Sequence, residues 1–98
     1  THTEWLRSRI ADALVQNIPV FISEWGTSDA SGSGGVYLEE SAMWLEFLNA
    51  NRISWANWSY CDKTESSAAV RNGANISDGI SPDELTESGK FVFSHFND

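Results

Sequence analysis

Hydrophobic residues recur along the chain with two different spacings. Two segments, residues 4–17 and 37–49, carry apolar side chains at helical spacing, namely Leu6, Ile10, Ala13 and Leu14 in the first and Leu38, Ala42, Leu45 and Leu48 in the second. Residues 20–22 and 53–58 are short runs of β-branched and aromatic residues, which is typical of strands. Pro19 ends the first helical segment, because proline disfavours helix at the residue before it. The pattern predicts the order helix, strand, helix, strand.

Polar segments follow both predicted strands. Residues 27–35 consist of Gly, Ser, Thr, Asp and Ala, which predicts a loop. Residues 59–81 form a longer polar stretch, and long loops in compact domains are usually functional. Near the end of the chain, Ser81 and Glu84 match a capping box around Pro82. The spacing of Phe91, Val92, His95 and Phe96 then predicts a last helix.

Alternating strands and helices imply an α/β fold with parallel strands and right-handed crossovers. A parallel sheet of only two strands would leave unpaired edges on both sides. A complete eightfold barrel needs about 250 residues, and this chain has 98. We therefore expect residues 1–98 to be a single segment of a larger α/β sheet or barrel, that is, a fragment.

Glu24 and Trp58 lie at the ends of the two predicted strands. In a barrel the active site lies at the carboxyl ends of the strands, so the two side chains are expected to face one crevice, with the two polar loops as its walls. On spacing alone, two readings of Glu24 stay open. It is either a satisfied polar group at a strand end or a carboxylate presented to a substrate.

The amino-acid composition argues against two classes of binding partner. Acidic residues number 14 against 6 basic ones, which argues against nucleic acid, because such binding needs clustered Lys and Arg, and against an anionic membrane surface. A neutral sugar is compatible, and the five tryptophans include more than a small core needs. His2 and His95 lack metal-ligand spacing, so no metal site is expected. Cys61 is expected to be inert.

Three motifs together resemble the bacterial endoglucanases (cellulases) of glycoside hydrolase family 5. They are "VFISEWGTS" at residues 20–28, "ISWANWS" at 53–59 and "DKTES" at 62–66, and the resemblance runs over essentially the whole chain. It implies the carboxyl-terminal part of a (β/α)8 TIM barrel, comprising helix 6, strand 7, helix 7, strand 8 and helix 8. The implied activity is that of a secreted, retaining endo-β-1,4-glucanase that acts on β-1,4-glucan or cello-oligosaccharides without a cofactor.

The resemblance also assigns roles to individual residues. Glu24 matches the catalytic nucleophile, and Trp58 matches the tryptophan under the sugar next to the scissile bond. Lys63 and Glu65 match a polar pair that hydrogen-bonds glucose hydroxyls further out, and Ala30 matches a loop position whose backbone lines the same subsites. Taken by themselves, Lys63 and Glu65 could equally be a solvated ion pair.

A retaining glycosidase needs a second carboxyl group as proton donor. In the family this glutamate lies between Asn and Pro, and the 98 residues contain no such motif. The chain alone is therefore expected to be inactive and to need the amino-terminal barrel part. The alternatives are a β-mannanase or xylanase of the same fold, or a non-catalytic fragment that self-associates or binds carbohydrate.

The other tryptophans are expected to have structural roles. Trp5 and Trp44 lie beside the apolar residues that recur at helical spacing in their segments, which predicts that both belong to the barrel-facing core. Trp25 and Trp55 are expected to pack inside the fold rather than to contact sugar.

Overall fold

The structure is a computed structural model that describes residues 3–98. It contains helix α1 (Glu4–Val15), strand β1 (Ile22–Trp25), helix α2 (Leu38–Ala50), strand β2 (Trp55–Asn57), a 3₁₀ helix (Pro82–Glu84) and helix α3 (Glu87–Ser94). The two strands pair in parallel, so the predicted element order and parallel pairing are confirmed. His2, considered above as a metal ligand, lies outside the described residues. None of the helices in residues 3–98 is long and apolar enough to cross a membrane.

One hydrophobic core joins all three helices to the sheet. Its buried members are Trp25, Trp44, Leu45, Leu48, Ile53 and Val92, and partly buried residues of α1, such as Leu6 and Ile10, pack against it. The predictions that Trp44 is core and that Trp25 packs inside the fold are confirmed, and so is the packing prediction for Trp55, whose ring lies edge-on to Trp25 at 5.2 Å. Trp5 is 70% exposed, so its assignment to the core is wrong for this chain.

Strand β1 lies later in the chain than predicted and is not buried on both faces. The expected strand covered residues 20–22, whereas the observed one covers Ile22–Trp25 and includes the carboxylate. Phe21 is 61% exposed, and Ser23 and Glu24 are exposed as well. All three helices contribute residues to one core around Trp25, and Phe21, Ser23 and Glu24 lie outside that core.

An irregularity in β1 sets the direction of its side chains. Ile22 pairs with Trp55 and Trp25 pairs with Asn57, so a step of three residues along β1 matches a step of two residues along β2. Ile22 and Trp25 both pack on the core, although residues three apart in a regular strand would face opposite sides. A β-bulge of this kind inserts one residue and re-aims its neighbours. Here it leaves Ser23 and Glu24 on the uncovered side.

The end of the chain contains two elements instead of one last helix. Ser81 and Glu84 form the predicted capping box, with the Ser81 N–H donating to Glu84 Oε2 at 2.9 Å, but it caps only the 3₁₀ helix. Helix α3 has its own N-cap, Thr86, whose Oγ1 accepts from Gly89 N at 3.0 Å. Phe96 lies beyond the helix and stacks on Trp55 with 5.8 Å between ring centroids.

The long polar stretch after β2 has a buried middle. Residues 67–70 are at most 1% exposed, and their backbone groups are bonded to the first residues of the same loop, with Ala69 N to Ser59 O and Val70 N to Cys61 O both at 3.0 Å. Helix α3 lies directly against this segment, since a Cβ on Gly89 would be 2.0 Å from Ala69 O. Sequence composition alone did not predict a buried segment here, because the burial depends on contacts with distant residues.

Candidate active site

A cleft of about 750 Å³ is lined by β1, by the loops that follow the two strands, and by side chains of α1 and α2 such as Ile10 and Trp44. The five site residues predicted from the sequence all line it, namely Glu24, Ala30, Trp58, Lys63 and Glu65. They come from three separate parts of the chain, so their meeting is a product of the fold. The structure thus brings the whole predicted set together.

Glu24 is held on the cleft side by its neighbours in β1. Ile22 before it and Trp25 after it are both anchored in the core, while Glu24 itself is solvent-exposed. Trp25 is only 7% exposed and therefore fixes the strand end next to the carboxylate. A carboxylate on a strand that is anchored in the core on both sides of it has a fixed backbone position, which favours a positioned chemical group over a mobile surface acid.

The two strand ends are locked together just beyond Glu24. Trp58 N donates to Trp25 O at 2.7 Å, and Asn57 Nδ2 donates to the same oxygen at 3.3 Å. At Gly26 the backbones approach so closely that an added Cβ would lie 2.8 Å from Trp58 O. Glycine after "SEW" is therefore needed for this approach. Sequence reasoning did not assign Gly26 a role, although a glycine directly after a strand is a recognised signal of close backbone approach.

Trp58 follows β2 and offers a flat apolar surface to the cleft. Its side chain is 48% exposed, in contrast to Trp25 and Trp44, and the peptide bond between Trp58 and Ser59 is cis. An exposed tryptophan and an exposed carboxylate that line the same cleft suit a ligand with both apolar C–H faces and hydroxyl groups.

Lys63 and Glu65 lie on the loop after β2 and do not pair with each other. Within residues 3–98 the ion pairs join Arg7 to Glu40 and His95 to Asp98, and none joins Lys63 to Glu65. Glu65 Oε1 instead accepts from Ser67 Oγ at 3.2 Å. The alternative of a solvated Lys63–Glu65 ion pair is therefore not supported, and Lys63 remains exposed to the cleft.

The glycine-rich loop that carries Ala30 is attached to the loop that carries Glu65. Ser67 N donates to Gly32 O at 2.9 Å, and Gly35 N donates to Ser66 Oγ at 3.0 Å. Gly32 has φ +83°, a conformation that other residues rarely adopt. Two loops that are 30 residues apart in sequence thus form one wall of the cleft.

Comparison with known proteins places this geometry in a family. The model of the cellulases of glycosyl hydrolase family 5 matches residues 1–64. The chain belongs to glycosyl hydrolase family 5. An endoglucanase of Clostridium saccharobutylicum is 50% identical over 92 residues, which are 94% of this chain and 20% of that protein. Endoglucanase N of Pectobacterium atrosepticum is 52% identical over the same share of this chain and 21% of its own length. The chain therefore spans about a fifth of these relatives.

Solved structures show the same fold as this family 5 chain. A structure from Cytophaga hutchinsonii is 44% identical with a TM-score of 0.90, and the match covers 96% of this chain and 31% of that one. The catalytic domain of a Thermobifida fusca endoglucanase in complex with cellotetraose is 25% identical with a TM-score of 0.89, and the match covers 100% of this chain and 32% of that one. The fold is that of the TIM-barrel cellulases.

Other reactive groups near the family 5 cleft already have partners. Asp29 Oδ2 accepts from the Tyr37 hydroxyl at 3.3 Å, and Glu40 is paired with Arg7. The Cys61 thiol is half-buried and lies 3.2 Å from Ser59 Oγ. No three His, Cys, Asp or Glu side chains converge as metal ligands in the part of the chain that the structure describes. Glu24 therefore stands out as the carboxylate presented at a strand end.

Proposed function

We propose that residues 1–98 are the carboxyl-terminal part of the catalytic domain of a retaining endo-β-1,4-glucanase, from helix 6 to helix 8 of the barrel, and that Glu24 is its nucleophile. The observation that carries this proposal is the position of Glu24, exposed on β1 between two core-anchored residues and facing the cleft that Trp58 also lines. The family membership and the endoglucanase relatives support the reaction class.

Retaining hydrolysis of a glycosidic bond requires one ionised carboxylate as the nucleophile and one protonated carboxyl group as the proton donor. The Glu24 carboxylate attacks the anomeric carbon while the proton donor protonates the departing glycosidic oxygen, which leaves a glycosyl–enzyme ester. The deprotonated donor then takes a proton from water, and the water oxygen displaces Glu24 from the sugar. The donor is supplied by the amino-terminal part of the barrel, because the Asn-Glu-Pro motif of the family is absent from these 98 residues.

The substrate in this proposal is a β-1,4-glucan chain. Trp58 stacks under the sugar next to the scissile bond, and Lys63 and Glu65 hydrogen-bond hydroxyls of a glucose further along, with the Ala30 backbone on the same side. The cellotetraose bound to the Thermobifida fusca endoglucanase supports a cello-oligosaccharide ligand. Action on an insoluble polymer also fits a secreted enzyme, and the predominantly acidic composition is compatible with a neutral substrate.

The 98-residue chain alone is expected to be inactive. It becomes active only when the rest of the barrel is supplied, and the direct test uses a barrel chimera. In this chimera the 98 residues replace the matching segment of the Clostridium saccharobutylicum endoglucanase. We expect the chimera to hydrolyse carboxymethylcellulose faster than mannan or xylan. A strong preference for mannan or xylan would instead favour the alternative of a β-mannanase or xylanase.

Covalent trapping of the glycosyl–enzyme intermediate tests whether Glu24 is the nucleophile. A 2-deoxy-2-fluoro-cellobioside with a good leaving group should add one fluorocellobiosyl group to the peptide that contains Glu24, as seen by mass spectrometry. Glu24→Gln should prevent this labelling, whereas Glu39→Gln, which changes an exposed carboxylate on α2, should not. Labelling of any other carboxylate would refute the role of Glu24.

The second candidate is a non-catalytic fragment that self-associates or binds carbohydrate. It is favoured by the two-stranded sheet and by the large exposed side chains of Trp5, Phe21 and Phe96. Sedimentation of the isolated chain with and without cellotetraose tests it. Self-association, or saturable binding by a monomer, combined with an inactive barrel chimera would establish this candidate over the enzyme.

A further inference from the structure

Ser67 joins the two loops of the cleft wall and also contacts Glu65. Its backbone N–H donates to Gly32 O at 2.9 Å, and its carbonyl accepts from Ser59 N at 3.2 Å. Its hydroxyl donates to Glu65 Oε1 at 3.2 Å. Ser67 is only 1% exposed, whereas Glu65 is half-buried at the edge of the cleft. The backbone of Ser67 therefore holds the loops, and its side chain reaches the carboxylate.

Gly32 closes the other side of the same carboxylate. A Cβ at this position would lie 3.0 Å from Glu65 Oε2 and 3.1 Å from Ser67 Oγ. Any side chain there would press on both groups, so the glycine leaves the space that the Glu65 carboxylate occupies. One oxygen of Glu65 is thus bonded to Ser67, and the other lies against the glycine-rich loop.

We infer that Ser67 is a positioning residue, which together with the space at Gly32 holds the Glu65 carboxylate in one orientation for a sugar hydroxyl. The inference rests on the proposed function, because it assumes that Glu65 contacts a glucose unit. A free glutamate side chain samples many rotamers, and fixing it on binding costs conformational entropy. A carboxylate already held by a buried hydroxyl and a close backbone avoids most of that cost.

Ser67→Ala removes only the contact in question. Both backbone hydrogen bonds of Ser67 remain in this variant, and alanine fits the space of serine. For substrates long enough to reach Glu65, we expect Ser67→Ala in the barrel chimera to raise KM roughly three- to tenfold. This is the usual contribution of one hydrogen bond. The kcat values should change little, and shorter substrates should be unaffected.

A length series of chromogenic aryl cello-oligosaccharides, from one glucose unit to four, gives the readout. Glu65→Ala first identifies the chain length at which the Glu65 contact begins to lower KM. At that same length, Ser67→Ala should make the decrease in KM smaller. In the double variant, Ser67→Ala should change KM little beyond the effect of Glu65→Ala, because the serine acts through the glutamate. Equal effects at all lengths, or full additivity, would overturn the inference and leave Ser67 as a structural residue.

Two glycines provide a matched pair of variants. Gly32 and Gly35 both have positive φ, at +83° and +103°, but a Cβ on Gly35 would meet nothing within 4 Å. Both alanine variants therefore carry a similar backbone strain. Only Gly32→Ala should also reduce the decrease in KM that comes with longer substrates. Identical length dependence in the two variants would contradict the role of the space at Gly32.

A measurement that does not depend on activity separates this inference from the proposed function. Crystal structures of the barrel chimera and its Ser67→Ala variant should show one Glu65 conformation in the first and several in the second. An inactive chimera with this difference would reject the enzyme proposal and keep only the conclusion that Ser67 fixes the orientation of the Glu65 carboxylate. An active chimera with an unchanged Glu65 in Ser67→Ala would do the reverse. If the chimera does not fold, the Pectobacterium atrosepticum relative, 52% identical, serves as the second host.

Discussion

The two faces of the β1–β2 sheet differ in what their residues do. On the helix face, Trp25 and Trp55 pack against residues from all three helices, and the core residues are at most 8% exposed. On the cleft face, Glu24 is exposed and Trp58 beyond β2 is 48% exposed. The same short strands therefore pack on one side and expose Glu24 and Trp58 on the other, and rigidity from the first side positions the groups on the second.

This comparison predicts that substitutions on the two faces have separable effects. Changes on the cleft face should lower activity while the free energy of unfolding stays nearly constant. Changes on the helix face should lower the free energy of unfolding first. All of these substitutions are made in the barrel chimera.

The largest effect is expected at Glu24. Glu24→Gln in the barrel chimera should lower kcat on carboxymethylcellulose by roughly a thousandfold or more, because a neutral amide cannot attack the anomeric carbon. The free energy of unfolding in urea should stay within about 0.5 kcal/mol, since the side chain is exposed. A loss of activity that matches a loss of folded protein would break the separation of the two faces.

Leu48 tests the helix face. It is 0% exposed in the core, so Leu48→Ala should lower the free energy of unfolding by about 3 kcal/mol through lost burial and the cavity left behind. Leu38→Ala, on the same helix at 37% exposure, should cost less than about 1 kcal/mol. Urea denaturation followed by tryptophan fluorescence measures both. Equal losses would show that the core on this face is not where the stability lies.

Gly26 lies where the two faces meet, and it should affect both. A Cβ in Gly26→Ala would lie 2.8 Å from Trp58 O, so the strand ends must separate. We expect a loss of about 2 kcal/mol in stability and a fall in kcat, because Glu24 and Trp58 both move. Ser54→Ala, at the exposed residue before β2 and outside the residues that line the cleft, is the control and should change neither the stability nor kcat. An unaltered kcat in Gly26→Ala would show that the close approach does not align the site.

The smallest effect concerns the contact between the loop after β1 and helix α3. Thr27 Oγ1 and Ser88 Oγ are 2.7 Å apart and both are buried, so Ser88→Ala should lower the free energy of unfolding by about 1 kcal/mol. The exposed Ser94 on the same helix should give less than about 0.5 kcal/mol when changed to alanine. Activity should be the same in both variants, and a selective loss in Ser88→Ala would extend the site to this contact.

Much of the architecture could be predicted from the sequence because it depends on local patterns. The helical spacing of Leu45 and Leu48 predicted α2, and alternation of strands and helices predicted the parallel pair. The motifs with Glu24 and Trp58 predicted which residues meet at the cleft. Trp5 was assigned wrongly, because a helical stripe does not tell whether a partner surface covers it in this chain. Strand β1 was placed too early, because an apolar run does not reveal a bulge.

The amino-acid sequence is enough to predict the order of the elements, the parallel pairing and the residue types at the strand ends, since these depend on spacing and backbone chemistry within short segments. The packing of distant segments was needed to show that the pairing with β2 puts Ile22 and Trp25 on one face, that Gly26 lies against the Trp58 carbonyl, and that Ser67 N donates to Gly32 O. Those features arise where segments distant in sequence meet. No local pattern records such contacts, because each depends on the backbone positions of two segments at once.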